Sequence, residues 1–73
     1  MHSFNNISVL HLFMEGAEDF FKVYSGLPIE EREKVVIIMN KEPISWNLAY
    51  HEIKNNTDNG RKLLKILKEI EII

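Results

Sequence analysis

Val35-Val36-Ile37-Ile38-Met39 is the stretch that most restricts how this chain folds. Five consecutive large apolar side chains leave no polar face in either a helix or a strand. The run therefore asks for cover on most sides, and the rest of the chain is expected to pack around it. Its flank points to a helix. Pro28 suits a first helical position, where its missing N–H costs nothing. Glu30 and Glu31 follow in the first turn, where the helix dipole favours negative charge. Pro28–Met39 is accordingly read as helix, against the strand preference of its β-branched residues.

Three further helices are expected around it. Ile7, Leu10, Phe13, Ala17, Phe20 or Phe21, and Tyr24 recur at three- or four-residue steps, which predicts a helix over 7–25. Asn5, Asn6 and Ser8 are candidate caps. A strand over Ile7–Met14 is the rival, because both alternating faces there are apolar. Ser25-Gly26 offers a left-handed glycine stop, and Pro28 forbids continuation. Ser45 caps the next helix, 45–55, with Ile44 and Ala49 placed as a hydrophobic staple. Trp46, Ala49, Tyr50 and Ile53 form its apolar face. Thr57 or Asp58 caps the last, 58–72. Leu63, Ile66, Leu67, Ile70 and Ile73 make its stripe, Leu64 and Ile72 widen it, and Arg61, Lys62, Lys65 and Lys68 lie off it. The expected architecture is all-α: one domain, residues 1–73, a small bundle of four short helices (7–25, 28–39, 45–55, 58–72).

Size and composition agree with one small core. A chain of 73 residues, 45% of them hydrophobic, has room for one domain. It contains no cysteine, so disulfides and thiolate metal sites are excluded. The start, MHSFNN, has no Lys/Arg-rich leader region. No apolar run approaches the ~20 residues that span a bilayer. A soluble, cytoplasmic protein without a membrane partner is expected.

The sequence offers little for catalysis. His11 and Glu15 are four apart on one expected helix face, but a structural zinc normally takes four ligands. His51 and Glu52 are adjacent and diverge. Glu15, Glu18 and Asp19, and then Glu30, Glu31 and Glu33, read as solvated faces and dipole partners. No nucleophile motif, phosphate loop or dinucleotide fingerprint occurs. Neither an enzyme nor a metal or other cofactor is expected.

Binding is what remains. Four helices with wide apolar faces offer more apolar surface than so short a chain easily hides, and exposed patches of that kind mark partner sites. The expected function is a small regulatory or adaptor protein that binds another protein or a second copy of itself. Trp46, Tyr50, Leu64 and Ile72 are the candidate contacts, although Trp46 on the main apolar stripe also suits the core. The alternative is a DNA-binding regulator of helix-turn-helix type. There the basic C-terminal helix enters the major groove, and Thr57, Asn59, Arg61, Lys62 and Lys65 face DNA. Residues 34–73 carry seven bases and five acids, whereas residues 1–33 carry six acids and two bases. The net charge of −2 and the long Asn55–Gly60 connection weigh against that alternative.

Overall fold

A computed structural model of the chain describes residues 16–73. The expected helix before residue 16, its strand rival over Ile7–Met14, and His11 and Glu15 lie outside the described residues. Residues 16–73 form α1 (Ala17–Gly26), α2 (Ile29–Arg32), β1 (Val35–Met39), β2 (Glu42–Ser45), α3 (Trp46–Lys54) and α4 (Asp58–Glu69). The protein is therefore mixed α and β, and the all-α helical bundle is not what forms.

The correction falls on the run that restricted the sequence most. The helix expected over 28–39 lasts a single turn, with Pro28 as its cap rather than its first residue. Glu30 and Glu31 do occupy the first turn. Beyond it, Val35-Val36-Ile37-Ile38 would lose side-chain freedom in a helix and pack well on a pleated surface. Asn40 and Lys41 then both take left-handed conformations, φ 54° and 67°. Two such residues make the type I′ turn whose twist matches a hairpin. Met39 pairs with Glu42, Ile38 with Pro43, and Ile37 with Ile44. Because a lysine at φ 67° is strained where glycine is not, Lys41→Gly is expected to stabilise the protein by about 0.5–1 kcal/mol. A urea midpoint that falls instead would show that the turn is held by the lysine side chain.

A bulge decides which side chains point inward. The register shifts between Val35 and Ile37, so Val36 is an extra residue on β1. Val36, Ile37 and Met39 lean on the core, while Val35 and Ile38 are exposed. The apolar run is thus half covered, as a two-stranded hairpin permits and a central helix would not.

The core lies where α1, β2, α3 and α4 meet. Ala17, Phe20, Ile44, Ala49, Ile53, Leu63, Leu64 and Leu67 are buried there. Ser45 ends β2 and caps α3, its Oγ accepting from the Leu48 N–H at 3.0 Å. The Trp46 N–H donates to the Lys34 carbonyl at 3.1 Å, which ties the start of α3 to the strand beside it. Thr57 caps α4 by accepting from the Gly60 N–H at 2.9 Å, and its hydroxyl donates to the Glu52 carboxylate at 2.5 Å. Thr57→Ala is expected to cost about 1–2 kcal/mol, read as a lower thermal midpoint.

Two terminations differ from expectation. Gly26 stays within α1, and the chain leaves through an extended Leu27. Helix α4 stops at Glu69 rather than 72, and Glu71 takes φ 62°. That turn returns the Ile72 N–H to the Leu67 carbonyl at 2.9 Å and sets Ile73 against the core.

Candidate functional site

Two surfaces stand out. The first is the outer face of the hairpin. Side chains alternate across a strand, and the bulge puts Val35 and Ile38 together on the side away from the core. Val35 is 54% and Ile38 68% exposed. Pro43, directly across from Ile38, is exposed as well. Apolar Ile29 in α2 is 72% exposed. No charged side chain occurs within Val35–Met39.

The second is an open groove of about 460 Å³ lined by Phe21, Tyr24, Ser25, Arg32, Tyr50 and Lys54. Tyr24 comes from α1 and Tyr50 from α3, and their rings stack at 4.4 Å with planes 13° apart. The Tyr24 hydroxyl donates to Asn47 Oδ1 at 2.6 Å, which fixes the ring. Phe21 meets Tyr50 edge-on at 5.6 Å. The Arg32 guanidinium lies 4.5 Å over Tyr24, and Lys54 Nζ lies 5.7 Å from the Tyr50 ring centre. Both are within the reach of a cation–π attraction.

The residues expected to bind protein do not share one surface. Tyr50 lines the groove. Trp46 is half-buried and stacks on Phe20 at 5.7 Å, so its ring covers the core. Leu64 is itself part of the core, and Ile72 is exposed beyond α4. Of the residues expected to face DNA, Thr57 is engaged as a cap. Arg61 donates to the Asn56 carbonyl at 2.9 Å and pairs with Asp58. Asn59 borders a second cleft of about 230 Å³ that also holds Glu42 and Glu52. Lys62 and Lys65 are exposed.

The sequence reading missed Val35, Ile38, Tyr24 and Arg32 as surface features. A β-branched run ending at an asparagine was a legible hairpin signal for the first two. Nothing local pairs Tyr24 with Arg32, because the turn through Gly26–Pro28 brings them together. Among the described residues, no group of three or more His, Asp or Glu side chains is placed to hold a metal ion. No described helix is long and apolar enough to cross a membrane.

These features define a small mixed α and β module with one apolar strand face and one cationic aromatic groove. The sequence is 37% identical over 68 residues to a UPF0473 protein of Clostridium botulinum, an alignment covering 92% of this chain and 79% of that protein. The chain belongs to the UPF0473 family. No family model matches the sequence, and no solved structure matches it.

Proposed function

We propose that the protein is a small, non-catalytic regulatory or adaptor module that binds another protein through the outer face of its hairpin. The observation that supports this is Val35 and Ile38 standing exposed on one strand face. Apolar area left in water is unfavourable by about 25 cal/mol per Å², so covering it favours association before the entropic cost of binding is subtracted. This moves the contact surface from the helices, where the sequence reading put it, to β1. A second copy of the chain is one such partner. A cytoplasmic setting accompanies the proposal, since a cysteine-free chain needs no oxidising compartment to fold.

Ile38→Lys tests it. The side chain touches solvent, so the fold should change by no more than about 0.5 kcal/mol. Capture of the partner from the source cell should weaken about tenfold or more, the size of a central apolar contact. Undiminished capture by the variant would end the reading. Light scattering on the same pair of proteins reports whether the partner is a second copy.

The DNA-binding alternative keeps one supporting observation. Only residues 55–57 separate α3 from α4, a connection as short as helix-turn-helix pairs use. Its electrostatic contact would fall to Lys62 and Lys65. Duplex binding at about 50 mM salt that weakens steeply as salt rises would favour it over the hairpin reading.

A further inference from the structure

We propose that the groove between α1, α2 and α3 is a docking site for an acidic peptide segment, in which an Asp or Glu side chain sits beside an aromatic or apolar residue. Its lining includes two cations and no carboxylate, in a chain whose net charge is −2. The cations stand over different rings of a stacked pair. Each tyrosine ring has the other on one face and a cation on the other, so an apolar side chain meets the ring edges and Phe21, and a carboxylate has positive charge at either end of the stack.

Arg32 is the residue that selects the anion. One of its terminal nitrogens donates to the Ser25 carbonyl at 3.3 Å, and its face lies on Tyr24. The guanidinium is therefore held in place before any ligand arrives. Its Nε–H is hidden from solvent and has no acceptor among the described residues. That N–H is closed to a ligand from solvent, so a carboxylate is met by the terminal nitrogen that Ser25 does not occupy, on a guanidinium whose position is already fixed. Lys54 adds a second charge without fixed direction.

The charge also favours peptide over nucleic acid. A nucleic-acid strand brings a phosphate with every nucleotide and needs a basic track to follow. Here the turn that carries Arg32 is flanked by exposed Glu30 and Glu33. These carboxylates repel a polyanion and tolerate a single acid seated at Arg32. The groove is a different surface from the outer hairpin face, so this inference and the proposed function fail independently.

The test is a titration of the whole chain, followed by NMR, with N-acetyl-aspartyl-phenylalaninamide as probe. Saturable shifts are expected at the Arg32 guanidinium and at the Tyr24 and Tyr50 rings, with a Kd of about 1 mM for a ligand this small. The asparaginyl analogue has the same shape without the charge, and should bind about tenfold more weakly. Arg32→Gln should abolish that acid-over-amide preference, and Lys54→Gln should reduce it about threefold. If Arg32→Gln does not fold, Lys54→Gln and the analogue decide. Equal response to the two probes, shifts outside the groove, or tighter binding of a thymidine oligonucleotide would overturn the assignment. Ile38→Lys should leave all of these shifts unchanged.

Discussion

Phe20→Ala is expected to destabilise the protein by about 3–5 kcal/mol, read as a much lower urea midpoint. The ring is 0% exposed and is one of the largest wholly buried side chains. It stacks on Trp46 at 5.7 Å and on Tyr24 at 6.0 Å, and meets Phe21 edge-on at 5.9 Å. The Trp46 contact joins α1 to α3 across the core, and the other two brace the ring within α1. Removing the ring loses its transfer energy and leaves a hole that flat aromatic neighbours fill poorly. A domain of this length is stable by roughly 4–11 kcal/mol, so one such loss is a large fraction of the total. Urea unfolding followed by the fluorescence of Trp46, the one tryptophan, measures it directly. A midpoint equal to the parent's would show that α1 does not pack where the structure puts it.

The second large effect comes from adding an atom. A Cβ on Gly60 would lie 2.3 Å from the Glu52 carbonyl oxygen and 2.9 Å from the Ile53 nitrogen. These are main-chain atoms of α3, so no side-chain rotation relieves the contact. Gly60→Ala gains about 1 kcal/mol of helix propensity in α4. Forcing the two helices apart costs more, and a net loss of about 3 kcal/mol is expected. For a chain this short that is a fall in thermal midpoint of roughly 12–24 °C. A variant at least as stable as the parent would mean that α3 and α4 do not approach so closely. The glycine is needed for proximity: its φ is not in the left-handed region, unlike that of Gly16, which precedes α1 at φ 85°.

The helices that carry their own punctuation were legible in the sequence. Ser45 before Trp46 and Thr57 before Asp58 place the starts of α3 and α4 within a residue or two. Each cap acts on N–H groups a few positions away, so the signal is local. Their apolar faces were legible for the same reason, and Ala49, Ile53, Leu63 and Leu67 are buried as that periodicity requires. Pro28 and the two glutamates were also a true start signal. They start one turn, and a helix start does not say how long the helix lasts.

The apolar run after that turn was open to either conformation, and distant partners decided it. Val35–Met39 becomes a strand because Glu42–Ser45 returns antiparallel beside it and buries Ile44 in the core. The bulge at Val36, and with it the exposure of Ile38, depends on how that pairing meets the start of α3. The groove is further still from the sequence: Tyr24, Arg32 and Tyr50 converge only once α2 has turned back over α1 and α3. By itself the sequence determined where helices begin and which of their faces are apolar, since caps and periodicity act over a few residues. The tertiary structure alone decided that the most apolar run is an open hairpin and that two tyrosines lie between two cations. Those outcomes depend on pairing energies between residues that the chain keeps apart.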